Sequence, residues 1–160
     1  MSTPCNFEVN GLYILLTDRG ENSFAFHWGF YLHQSGISGC IYHLINDDGP
    51  ASWRFDSRLS ENVMFSQRLL AAIKIGVIDL VLHQALPDRL QEIPIAYSTR
   101  FHESITCRVW LKEALFALDD EGYVKLTRSV DEIEAEAKIL AIQNKSMGQR
   151  TVSRSVGTLA

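Results

Sequence analysis

Cysteine is scarce in this chain: three residues out of 160, at Cys5, Cys40 and Cys107. Their odd number, wide spacing and lack of a C-x-x-C pair argue against a disulfide framework and against a structural zinc site. A zinc site from His27, His33 and His43 is disfavoured because the hairpin splays His33 away, and neither a metal nor a cofactor is expected. Long apolar runs are missing as well. The longest, Leu69 to Leu82, is broken by Lys74 and Asp79 and falls short of the ~20 residues that a membrane-spanning helix needs. No transmembrane segment is expected. The first residues, Met1-Ser2-Thr3-Pro4-Cys5-Asn6, hold no basic stretch leading into an apolar one, so they do not read as a signal peptide and a cytoplasmic location is expected. Concentrated positive charge is lacking too. The formal net charge is -4 and the pI about 5.7, and the one local basic excess, Lys145 to Arg154, is too small to suggest a nucleic-acid partner.

What the chain does have is apolar content, 46%, enough for one domain with a real core and too little length for two. The expected class is α+β, an antiparallel sheet with flanking helices, over residues 1–146. Residues 147–160 are small and polar without periodicity, and they read as a disordered tail.

Leu12 to Thr17 reads as a first strand, closed by the turn chemistry of Asp18 to Asn22. Two alternating segments follow, Phe24 to Leu32 and Gly39 to Leu44, close enough to form a hairpin. After the turn Asn46-Asp47-Asp48-Gly49-Pro50, Ser52 to Asp56 suggests a short strand, Ser60 to Gln67 a helical turn, and Leu69 to Ile78 a buried strand. A short helix is expected over Leu82 to Leu90. Thr106 suits the N-cap of a helix starting at Cys107, and Ser129-Val130-Asp131-Glu132 has the capping-box pattern for a last helix reaching about Asn144.

The hairpin carries the candidate chemistry. If its loop runs from His33 to Ile37, Leu32 faces Ser38, His33 is exposed, and His27 lies directly opposite His43. Both imidazoles then share a face with Gly29, Tyr31, Gly39 and Ile41, where the two glycines leave room for a ligand. Phe24, Phe26, Trp28, Phe30, Leu32, Cys40, Tyr42 and Leu44 fall on the other face, which reads as core. Cys107, at a helix N-terminus, is placed to have its thiolate stabilised, and an imidazole nearby would complete a nucleophile. In that reading His27 is the base, His43 orients it, and Cys107 is the thiol that alkylates fastest.

His27-Trp28-Gly29-Phe30-Tyr31-Leu32, followed by Tyr42-His43-Leu44 and then Cys107, resembles the histidine strands and cysteine helix of the lecithin:retinol acyltransferase-like proteins, a circularly permuted branch of the papain-like NlpC superfamily. Cys107-Arg108-Val109-Trp110 is also similar to a helix in small fungal proteins. The resemblance implies a permuted papain-like arrangement and a cysteine-dependent acyl-transfer enzyme, with a Cys107/His27/His43 triad acting on an amide, ester or thioester. Arg108 and Val109 stand where the acyltransferases carry an acidic residue and a histidine, so acyl-lipid specificity is not implied.

Two rival readings keep the fold. One is a small-molecule binding or scaffolding protein whose aromatic pocket includes Tyr31, Trp53 and Trp110; Trp28 is a further candidate substrate contact. The other is a small noncovalent cyclase or isomerase in which His27 and an acid such as Asp56 move protons. A homodimer is compatible with all three.

Overall fold

The computed structural model describes residues 6–20 and 24–159. They form a six-stranded sheet in the order β4-β3-β2-β1-β5-β6 with three α-helices, so the α+β class holds. The strands are β1 (Gly11–Thr17), β2 (His27–Ser35), β3 (Ser38–Ile45), β4 (Arg54–Ser60), β5 (Leu69–Val77) and β6 (Thr151–Arg154). The helices are α1 (Ala85–Gln91), α2 (Cys107–Asp120) and α3 (Val130–Met147). All neighbouring strands are antiparallel except β5 and β6, which run parallel. None of the described helices is long and apolar enough to cross a membrane.

Local chemistry sets the helix ends as the sequence suggests. The Thr106 side chain accepts from the Val109 amide and starts α2, and Ser129 and Glu132 close a capping box at α3. Gly148, at φ 64, ends α3 in the left-handed conformation three residues past the expected stop at Asn144. Cys5 and part of the Asp18 to Asn22 turn lie outside the described residues.

The sheet has two unlike faces. Trp28, Phe30, Leu32, Tyr42 and Leu44 pack with α2 and α3 in the main core, as their alternation requires. Phe24 departs from that pattern and is 48% exposed. The opposite face carries a smaller cluster of Tyr13, Leu15, Tyr31, Val63, Leu69 and Ala72, and none of the described α-helices covers it. Phe7 packs on it against Tyr13 and Tyr31, and the rest is crossed by the connection from Glu61 to Arg68, which leaves edge strand β4 and starts β5 on the far side of β1, with a 3₁₀ turn at Val63–Phe65. That crossing spans four strand spacings, roughly 19 Å.

The tail is ordered, which corrects the expectation of disorder from residue 147. Thr151 to Arg154 pair with Ala71 to Lys74, and Asn144 holds the turn by donating to the Leu70 carbonyl at 2.8 Å and the Thr151 hydroxyl at 2.9 Å. Beyond the strand, Ser155 and the Val156 amide donate to Glu136 at 2.6 and 2.9 Å, and Thr127 donates to the Gly157 carbonyl at 2.7 Å. Backbone and side-chain hydrogen bonds dock this segment, so it needed no apolar periodicity.

Each such bond contributes roughly 1 kcal/mol net. Truncation after Ser146 removes several at once and should lower the thermal midpoint by about 5 °C or more in a melt followed by circular dichroism. An unchanged midpoint would mean that the tail does not dock.

Candidate functional site

The turn between β2 and β3 is tighter than the sequence suggested. Gly36, at φ 50, lets the chain reverse so that Ser35 pairs Ser38, Leu32 pairs Cys40 and Phe30 pairs Tyr42. The register therefore shifts by two residues from the one expected. An even shift keeps His27 and His43 on one face but makes them diagonal neighbours rather than direct opposites. Gly29 takes the place opposite His43. A Cβ there would lie 3.1 Å from the His43 Cβ, so the bare backbone is what lets His43 lie over β2 and reach His27.

The rings meet edge to face, and His27 Nε2 lies 2.7 Å from His43 Nδ1. The other nitrogen of His43, Nε2, lies 2.9 Å from Asp56 Oδ2 on the paired position of β4. A carboxylate only accepts, which makes His43 Nε2 a donor and leaves its Nδ1 to accept from His27 Nε2–H. This assignment of tautomers gives His27 a free lone pair at Nδ1. Burial, then the neighbouring His43, then Arg19 and Arg58, push the His27 pKa down to about 4. Burial also lowers His43, against the opposing pull of Asp56. His27 is therefore neutral at physiological pH.

His27 and His43 line a cavity of about 240 Å³ with Leu15, Gly29, Ile41 and Val63, and Arg58, Asn62, Ser66 and Arg68 are also in its wall. Of the residues the sequence singled out, only the two histidines and Asp56 come together here. Cys107 is on the other side of the sheet, buried in the core with Trp28 and Trp110. Its sulfur accepts from the Arg19 guanidinium at 3.6 Å and bonds to neither imidazole. The triad is thus not assembled, because β2 turns Trp28 rather than His27 toward α2.

The aromatic pocket is not assembled either. Trp28 and Trp110 are core residues and Trp53 packs against the same core. Tyr31 shares the histidine face, but its hydroxyl lies 2.8 Å from His33 Nδ1 in a separate buried pair. His33 is correspondingly buried, at 2% exposure, rather than lying in an exposed loop. The expected room at Gly39 is filled as well, since a Cβ there would lie 2.5 Å from the Tyr31 ring.

Arg58 and Arg68 were missed. Alternation on β4 would have put Arg58 beside Asp56 once the pairing with β3 was known, whereas nothing local brings Arg68 to this face. Only the crossing of the β4–β5 connection does.

Residues 10–154 match a family of unknown function, DUF6914, and the chain belongs to that family. No curated protein and no solved structure matches it.

Two outcomes follow from this geometry. Because the folded pKa of His27 is depressed, the unfolded chain binds more protons between pH 4 and 6.5, and stability is lost as pH falls through that window. A depression from 6.5 to about 4 corresponds to a loss on the order of 3 kcal/mol. Urea unfolding at pH 7 and pH 4.5 should show a smaller loss for His27→Gln than for the wild type. Iodoacetamide should label Cys40, which is half-buried, before the fully buried Cys107, as peptide mapping of the native protein will reveal. Faster labelling at Cys107 would restore the nucleophile reading.

Proposed function

We propose that this member of a family of unknown function is a noncovalent proton-transfer enzyme, an isomerase or cyclase acting on a small molecule held against His27. The observation that carries this reading is the hydrogen-bonded chain His27–His43–Asp56, with links of 2.7 and 2.9 Å, ending at a cavity of about 240 Å³.

In this reading His27 Nδ1 takes a proton from substrate and becomes an imidazolium. His43 accepts the hydrogen bond from its Nε2–H, and Asp56 fixes the orientation of His43 and offsets the developing charge. Return of the proton to a different substrate atom completes an isomerisation. No bond between enzyme and substrate forms at any stage, and no residue changes its net protonation over a cycle. The low pKa of His27 suits a base that must be unprotonated at the start.

The order of His27, His43 and then the Cys107 helix supports a permuted papain-like layout. The burial of Cys107 across the sheet weighs against the covalent acyl transfer that this layout implies. A binding or scaffolding role would leave the linked histidines without use.

The test is protein-dependent deuterium incorporation from D2O into a panel of small aldehydes, ketones and 2-oxo acids, followed by proton NMR. The expected result is exchange that falls about 100-fold or more in His27→Gln, the usual scale for loss of a general base. Asp56→Asn should lower it less, and Cys107→Ser should retain it. Absence of protein-dependent exchange across the panel, or loss in Cys107→Ser alone, would overturn the proposal.

A further inference from the structure

The chain is acidic, yet the cavity that holds the two histidines has no carboxylate in its wall. Its polar lining is Thr17, His27, His43, Arg58, Asn62, Ser66 and Arg68. Asp56, the nearest acid on this face, is engaged by His43 Nε2 at 2.9 Å and by Arg58 Nε at 3.6 Å. That second contact uses only one corner of the guanidinium. The two terminal amino groups of Arg58 have no partner among the described residues.

Arg68 is freer still. Its guanidinium makes no hydrogen bond or ion pair among the described residues. The acid whose field it feels, Asp18, is already held by Lys145 at 3.0 Å and by the Gly20 amide at 3.0 Å. Two arginines thus line one small cavity, one on β4 and the other at the end of the connection that covers it. Arginine forks match the planar or tetrahedral oxygens of carboxylate and phosphate.

We propose that the substrate carries a carboxylate or phosphate group, and that Arg58 and Arg68 hold this anion while His27 faces the remainder of the molecule. The inference rests on the proton-transfer reading only for the role of His27; the anion site itself rests on the arginines. A cavity of about 240 Å³ has room for roughly eight water-sized groups, which suits a small metabolite-sized anion. Binding an anion here also offsets the fields of Arg58 and Arg19 at His27, so ligand binding and protonation of His27 are coupled.

The experiment titrates the full chain with malonate, inorganic phosphate and the neutral analogue malonamide at constant ionic strength, reading the imidazole 1H–15N signals of His27 and His43. Saturable shifts with malonate or phosphate and none with malonamide are expected, with the stronger of the two anions naming the preferred oxygen geometry. Arg68→Gln should weaken binding about tenfold or more, Arg58→Gln likewise, and the exposed control Arg128→Gln not at all. The His27 titration midpoint should rise in the anion complex. Equal response to malonamide, equal effects of Arg68→Gln and Arg128→Gln, or no saturable shift with either anion would overturn the proposal. Because this readout is equilibrium binding, anion binding without deuterium exchange would leave the site standing and remove the proton-transfer reading. Exchange on neutral carbonyl compounds without anion binding would do the reverse.

Discussion

The site depends on one close approach, that of His43 to the bare backbone of Gly29. Cross-strand neighbours on a sheet face keep their side chains roughly upright, and a diagonal pair stands some 7–8 Å apart at Cα. Only because the position opposite His43 carries no Cβ does its ring settle over β2 and come within 2.7 Å of His27. The same inclination leaves its other nitrogen 2.9 Å from Asp56 on β4. Three strands are thus tied by one buried imidazole, which is why the polar groups here are satisfied although His43 is nearly inaccessible.

The division of labour between the sheet faces follows from strand alternation alone. One face is mainly apolar and is closed by α2 and α3. The other mixes tyrosines, histidines and Lys74, and each buried polar group on it has a partner: Tyr31 with His33, Lys74 with Glu8, His43 with Asp56. Burial of polar groups costs free energy unless they pair. This face accordingly contributes less to stability than the helical one and more to specifying a single arrangement.

Much of this was legible from residue order. The strands β1 and β5, the caps at Thr106 and Ser129, and the shared face of His27 and His43 all follow from periodicity or capping chemistry, which act over a few residues. The hairpin register did not, because moving the turn by two residues preserves parity and leaves the hydrophobic pattern unchanged. His33 illustrates a second limit, since its burial depends on Tyr31, a neighbour that an apolarity count scores only as bulk. Cys107 illustrates a third: the N-terminus of a helix is readable, but the sheet face on which that helix lies is a property of topology. The docked tail was hidden for a different reason, as parallel pairing with β5 is chosen by backbone groups that every residue carries.

The connection that roofs the cavity is also the covalent link between one edge strand and the strand next to the opposite edge of the sheet. Side-chain lids swing on hinges, whereas this roof is anchored at both ends by hydrogen-bonded strands and pinned between them by Val63. Opening it wide would peel β4 from β3 or β5 from β1. The room under this roof is therefore set by chain length across the sheet, and a longer segment between Ser60 and Leu69 would enlarge the cavity without altering His27, His43 or Asp56.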